Sequence, residues 1–502
     1  MSRRAALSVL VAIGMVAASC RSGQSLTNAG IDRPSSATVE SLAPGETAVA
    51  TLPPTTLPRK LDSLPPCDVS TLDTASAAGA VPITFWHGVS NELGVELERL
   101  TEVYNSSQNK VKVTLEYQGG YEQTIDKYLQ SNTANRPDMV MMPEYMVQQM
   151  IDTKSIVPTE ACAESADYDM SPFLPQALGA YATEGVQWSM PFNMSLPVLY
   201  FLKPRLVTAG LDPDNPPRSL EDLLAASKQL VASGASTYSL SLDSDFDGGG
   251  GWYIEQWLSK AQEFYSDNEN GRAAPSTHVL YDQGAGVELL TYLQSLVTEG
   301  GAVYVGDNAS GQDALLKLAD AEKPASMTIA TSAALGPILA ITRAGIIPGI
   351  SDTDVGVGFM PGPNDGAGAL VGGASLYIVD GKGTENAAAV WDFMTFLVSA
   401  ASQSQWAAAT GYVPIRQDAL DLDPIKSLYV TDPRFKVAYD QLISSAPGPT
   451  SQGPVLGPLK QVRRVTAAAV AEVLLGGDPQ TALTKAAQNA NDLIANYNAQ
   501  NR

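Results

Sequence analysis

Met190-Pro191-Phe192-Asn193-Met194-Ser195-Leu196-Pro197-Val198-Leu199-Tyr200-Phe201-Leu202-Lys203-Pro204 decides how this chain is organised. Val198 to Leu202 is a continuous apolar run too short for a surface helix, which predicts a buried strand, and Pro191 and Pro197 restrict the backbone just before it. A helix follows. Ser219 is placed to cap it with Asp222 three residues on, Leu220, Leu223, Leu224, Leu230 and Val231 give it one apolar face, and Gly234 can end it.

On the N-terminal side, ordered structure is expected from about Val81. Ile83-Thr84-Phe85-Trp86 reads as a strand, and Ser90 or Asn91 opens a helix with Leu93, Leu97, Leu100 and Tyr104 on one side. Val111, Val113, Leu115 and Tyr117 alternate with polar residues, the pattern of a half-buried strand. Gly119-Gly120 turns the chain into a second helix that must end before Pro137, and Met139 to Met142 is apolar on both faces, as a central strand is. Strand, helix, strand, helix, strand predicts an α/β fold with a largely parallel sheet.

On the C-terminal side, residues 196 to 327 read as helix-dominated. The glycine run 248–251, preceded by Asp243, Asp245 and Asp247, predicts a flexible loop. Ser326 to Ala330 reads as a strand and Ser332 as the cap of a helix from Leu335 to Ala344. Val355 to Met360 and Leu370 to Val379 are strands separated by a Gly/Pro-rich surface turn at 361–366. Helices are expected around Val390 to Leu397, from Val465 to Leu475, and after Asp478-Pro479.

The 502 residues suggest about two to four domains. Lys plus Arg number 31 against 53 Asp plus Glu, a net charge of −22, which argues against a nucleic-acid or anionic-lipid surface. Arg3-Arg4, the apolar Leu7 to Val16 and the small residues before Cys20 resemble a bacterial lipoprotein signal, with Cys20 as the lipidated residue; an ordinary secretory peptide containing Cys20 is the alternative. Residues 21 to 80 read as a flexible tether and lead-in, poor in apolar periodicity. With Cys20 used for lipid, Cys67 and Cys162 remain for a disulfide in an oxidising compartment, or for two buried thiols.

Seven separated segments together resemble one family. They are Phe85-Trp86-His87-Gly88 with Glu92-Leu93-Gly94, Gly119-Gly120-Tyr121-Glu122-Gln123, Pro191 to Ser195, Pro197 to Tyr200, Val371 to Leu376, Thr410 to Ile415, and Gln461-Val462-Arg463. In this order, from about Ile83 to Tyr497, they are similar to the periplasmic sn-glycerol-3-phosphate-binding proteins of ABC importers. The resemblance implies a type II periplasmic-binding-protein fold of two α/β lobes, each a mixed, mainly parallel sheet flanked by helices. Residues 81–193 with 328–380 would form the first lobe and 196–327 with 383–500 the second. It implies a lipid-anchored monomer on the outer face of the cytoplasmic membrane, handing a small phosphate ester to importer permease subunits, with no catalysis, cofactor or metal.

By motif, the resemblance carries ligand contact onto Tyr121, Glu144, Ser195, Gly373, Tyr412 and Arg463, and onto Thr331 where relatives have Ser. Trp86 and Trp252 are further candidates. A phosphate suits the Arg463 fork, the hydroxyls of Tyr121, Ser195 and Tyr412, and the unobstructed Gly373 N–H; Glu144 suits the paired hydroxyls of glycerol. At the position of a Trp that closes the ligand's far end in a relative stands Gly249 or a neighbour, which implies a longer pocket and a glycerophosphodiester such as glycerophosphocholine. Two readings compete. A mono- or oligosaccharide has no use for a buried guanidinium, and a secreted phosphodiester hydrolase would draw on a chain with two histidines, His87 and His278, and no Gly-x-Ser-x-Gly elbow.

Overall fold

The structure is a computed structural model that describes residues 63–247, 249–307 and 312–501. The signal segment with Cys20, the tether up to residue 62, and Gly248 therefore lie outside the described residues. The strands in chain order are β1 (Val81–His87), β2 (Val111–Tyr117), β3 (Met139–Pro143), β4 (Ile156–Val157), β5 (Ala182–Thr183), β6 (Val186–Gln187), β7 (Met190–Ser195), β8 (Pro197–Leu202), β9 (Tyr238–Leu242), β10 (Val303–Tyr304), β11 (Ala325–Thr331), β12 (Val355–Phe359) and β13 (Gly372–Val379). β5 and β6 make a small separate hairpin. The others form two sheets, one per lobe.

The first sheet runs β2-β1-β3-β13-β4, with β7 also paired to β13. β1 is parallel to β2 and β3, as the strand-helix-strand order predicts. All four residues from Met139 to Met142 are fully buried, so β3 is the central strand that its two-sided apolar pattern requires. β13 enters from the other lobe and lies antiparallel to β3, β4 and β7. The second sheet runs β10-β9-β11-β8-β12, with β9 parallel to β10 and β11, and β8 antiparallel to β11 and β12. Antiparallel pairing is thus more prominent than the local order suggests, because each crossing strand approaches its sheet from the opposite lobe.

The opening stretch is two strands. β7 belongs to the first sheet and β8 to the second, with only Leu196 between them, and every residue from Met190 to Leu202 is buried. Ser332 secures this passage: its N–H donates to Leu196 O at 2.7 Å and its hydroxyl accepts from Leu196 N–H at 3.2 Å. Ser332 is therefore not the helix cap. Thr331 caps the single 3-10 turn Ser332–Ala334 that leads into the helix Leu335–Arg343, its side chain accepting from Ala333 N–H.

A second passage joins β12 to β13. The Gly/Pro-rich segment 361–371 is not a plain surface turn but the return to the first lobe, and buried side chains of the second lobe hold its backbone. Trp257 Nε1 donates to Pro361 O, Gln256 bonds Leu370 in both directions, and the Lys260 ammonium donates to the carbonyls of Gly366 and Gly368. Gln441 ties both passages together, accepting from Met360 N–H and donating to Pro197 O.

The lobe boundaries differ from expectation in two places. β11 and β12, hence most of 328–360, lie in the second sheet. The helices Thr384–Leu397 and Ala400–Thr410 pack on the first lobe, the former on β1 and β13, the latter on the helix Asn91–Ser107. Their apolar faces carry no label for one sheet over the other, so long-range packing decides. Helices Leu459–Leu474 and Pro479–Asn501 pack together in the second lobe, the former against the helix Gly250–Lys260 and both against the helix Ala285–Thr298. A disulfide joins Cys67 to Cys162 in the helix Thr159–Ser165. Among the described residues no helix is long and apolar enough to cross a membrane.

Candidate functional site

A cleft of about 1300 Å³ lies between the lobes, and its walls include Tyr121, Glu144, Ser195, Trp252, Thr331, Gly373 and Tyr412. Each arrives from the end of an element. Gly119 and Gly120, at φ of +98° and +139°, swing the chain so that Tyr121 starts the helix Tyr121–Gln130. Pro143 ends β3, placing Glu144 at the strand tip. Ser195 and Thr331 close β7 and β11, Gly373 opens β13, and Tyr412 follows Gly411, the left-handed cap of the preceding helix. Gly373 sits at φ +100°, and a Cβ there would lie 1.9 Å from the Asn193 carbonyl oxygen, so only glycine lets these two strands approach.

Asn193, fully buried, organises the tyrosines. Its amide donates to the Tyr121 hydroxyl at 2.8 Å, while its own side-chain oxygen has no protein partner. Burial raises the pKa of both Tyr121 and Tyr412, so each hydroxyl stays a neutral donor. The Phe-Asn-Met-Ser segment had drawn attention to Ser195; Asn193 was its less obvious member.

Arg463 is set differently from the open fork expected of it. It is 2 % exposed and lies behind the cleft wall, held by two carboxylates. Glu255, fully buried, takes Nε at 2.5 Å and Nη2 at 2.8 Å, while Nη1 reaches across to Glu144 at 2.7 Å. Asp247 Oδ1 is 4.0 Å from the same nitrogen. Burial opposes the guanidinium charge, but Glu255 and Glu144 more than offset it and keep Arg463 protonated. The Glu144 carboxyl is pushed up by burial, which outweighs the pull of Arg463. Arg463 and Glu255 belong to the second lobe and Glu144 to the first, so this ion pair spans the cleft floor. Beside it Glu122 of the first lobe accepts from Lys460 at 2.5 Å and from Arg464 at 3.0 Å.

The two tryptophans separate. Trp252 lines the cleft with its indole Nε1 buried and without a protein partner. Trp86 does not line it: its indole donates to Glu116 at 2.8 Å and its ring carries the Lys127 ammonium 3.9 Å from the centroid. His87 is buried beside it, its pKa lowered to about 4 by desolvation, and serves as neutral packing.

The glycine run also corrects the sequence reading. Gly249 to Gly251 are buried, and Gly250 starts the helix Gly250–Lys260. A Cβ on Gly250 would lie 2.7 Å from Val470 Cγ1, and one on Gly251 2.8 Å from the Arg463 carbonyl oxygen. These glycines are needed for close packing of two helices, one carrying Glu255 and the other Arg463, rather than for a mobile loop.

The arrangement is a cleft with hydroxyl donors, one backbone N–H unhindered by a side chain, and a carboxyl at an arginine. Among the described residues no group of three or more His, Cys, Asp or Glu is placed to hold a metal ion. A family model described as bacterial extracellular solute-binding protein matches residues 100–436. The sn-glycerol-3-phosphate-binding periplasmic protein UgpB of Pectobacterium atrosepticum is 29 % identical over 442 residues, covering 86 % of this chain and 95 % of that protein. UgpB of an Escherichia coli strain is also 29 % identical, over 84 % and 94 %. Among solved structures, UgpB from Mycobacterium tuberculosis in complex with glycerophosphocholine superposes with a TM-score of 0.68 at 19 % identity, covering 84 % of this chain and all of that one. The acarbose-binding GacH receptor of Streptomyces glaucescens gives 0.66, also at 19 % identity, over 84 % and 100 %.

Proposed function

The chain belongs to the bacterial extracellular solute-binding proteins, and from that premise we propose that its cleft captures a glycerophosphodiester such as glycerophosphocholine, or sn-glycerol 3-phosphate itself. The family role is that of the solute-binding component of an ABC importer. The observation that supports the ligand class is the ion pair of Arg463 Nη1 with Glu144, a carboxyl that lines the cleft together with Tyr121, Ser195, Gly373 and Tyr412. Glu255 holds one N–H each of Nε and Nη2, so Nη1 is the end of the guanidinium turned toward the first lobe, and in this reading the ligand phosphate competes with Glu144 for it. Displaced, Glu144 is an acceptor for the glycerol hydroxyls. The Tyr121 and Tyr412 hydroxyls and the Gly373 N–H supply neutral donors.

Because Glu144 is on one lobe and Arg463 on the other, a ligand touching both favours apposition of the lobes by differential contact. In this reading the protein is monomeric, held to the membrane through Cys20, and leaves its ligand unaltered. The occupied state of Arg463 also lends weight to a second reading, a mono- or oligosaccharide bound by an acceptor-rich floor. Mass spectrometry of small molecules released from the purified protein, followed by calorimetric titration, separates them. A bound phosphodiester with a dissociation constant in the micromolar range or below is the expected result. Saccharide binding with every glycerol phosphate silent would overturn it, and release of free choline from glycerophosphocholine would overturn the non-catalytic role.

A further inference from the structure

The floor of the cleft crowds several carboxyl groups around one arginine, and burial, then neighbouring carboxylates, push the Asp247 carboxyl toward its neutral form, as burial does for Glu144. Around the Arg463 guanidinium stand Glu255, Glu144 and Asp247. The neighbouring cations are already engaged: Lys460 and Arg464 with Glu122. Arg343 and Arg434 are paired with Asp352 and Asp432, and Lys203 follows β8 at the end remote from Pro197, which pairs with Thr331. A phosphodiester bound at Arg463 adds one more negative charge to this cluster. Burying an uncompensated charge is costly, so a ligand that brings its own cation is favoured over one that does not.

Asp247 is the carboxylate placed to meet that cation. Glu255 is fully buried behind Arg463, and in the reading above Glu144, once displaced by the phosphate, turns to the glycerol hydroxyls. Asp247 is half-buried in the cleft wall, with its nearer oxygen 4.0 Å from Nη1, beyond hydrogen-bond distance. A group one short linker away from a phosphate on Nη1 is therefore within its reach. The same wall carries Trp252, whose indole Nε1 is buried without a protein partner and whose ring edge lies 2.5 Å from where a Gly372 Cβ would be. An aromatic ring and a carboxylate together suit a substituted ammonium.

Resting on the glycerophosphodiester reading above, we propose that Asp247 is a specificity-determining residue that selects zwitterionic glycerophosphodiesters, those with an ammonium beyond the phosphate, over anionic ones of similar size. The test is calorimetric titration of the wild-type protein, Asp247→Asn and Asp247→Glu with glycerophosphocholine and with glycerophosphoglycerol, which lacks the cation. Wild type is expected to prefer glycerophosphocholine by about tenfold, a modest charge effect in a partly solvated cleft. The preference should shrink to about twofold or less in Asp247→Asn and persist in Asp247→Glu. Melting curves of both variants, run alongside, establish that they are folded. Equal wild-type affinities, or an undiminished preference in folded Asp247→Asn, would overturn the role of Asp247 while leaving the ligand class standing. Silence of both phosphodiesters with wild type would overturn the ligand class, and this inference with it.

Discussion

Replacing Arg463 by alanine should damage the fold as well as the binding. In the structure its guanidinium is the partner of Glu255, which is fully buried, and of Glu144, whose side chain is 11 % exposed. Removing it leaves Glu255 without its ion-pair partner inside the second lobe. Breaking a buried pair from one side costs about 3–5 kcal/mol, because the remaining charge is uncompensated or must take up a proton. For a cooperative unit of lobe size, each kcal/mol lowers the melting temperature by about 2–4 °C, so the expected loss is roughly 6–20 °C. Differential scanning calorimetry without ligand measures it directly. The companion variant Arg463→Met with Glu255→Gln removes the stranded charge and should recover more than half of the loss. A melting temperature for Arg463→Ala within a degree of wild type would refute the reasoning and show that Glu255 does not need the arginine.

Gly373→Ala should be destabilising and abolish binding, since its Cβ would meet the Asn193 carbonyl oxygen at 1.9 Å and its φ is +100°; urea unfolding and calorimetry check both, and near-wild-type behaviour would mean the strands can part there. Asp243 is buried with its pKa raised from 3.8 to about 8 by desolvation and then by Asp245. Its contribution to stability is fully present below about pH 4 and is lost as pH rises through about 8, so Asp243→Asn should reduce the loss of stability between these values by up to roughly 5 kcal/mol; parallel pH-dependent losses for both proteins would contradict this. Glu122→Gln weakens the attachment to Lys460 and Arg464, and small-angle scattering of the ligand-free variant should show a larger radius of gyration than wild type; identical curves would mean that these contacts do not hold the lobes together.

What the sequence made legible was local. The alternation at 111–117, the two-sided apolar run at 139–142 and the short strand after Pro197 are readable because each pattern depends on residues two or three positions apart. Partners far along the chain were not readable. Glu255 is 208 residues from Arg463 and Glu144 is 319 residues away, so a conspicuous arginine could be singled out without its being known to be already paired. Gly250 and Gly251 show the same limit: composition indicates freedom, whereas Val470 and the Arg463 carbonyl, brought up by a distant helix, make them a packing requirement. The expected lobe boundary at 327/328 cuts through the strand at 325–331, which belongs whole to the second sheet, since its apolar residues suit either sheet.

The Cys67–Cys162 disulfide has a mechanical consequence. It fastens the chain close to the start of its described part to a helix of the first lobe. A pulling force applied upstream of residue 67 thus enters the first lobe through a covalent joint and bypasses the lead-in helix Thr71–Ser76. The second lobe has no such joint to the upstream chain; it is reached only through the passages at 196, at 361–371 and beyond the helix Ala400–Thr410. If the upstream chain is tied to a surface, the first lobe is the stator, and the proposed closure is a swing of the lobe carrying Arg463, Trp252 and Asp247.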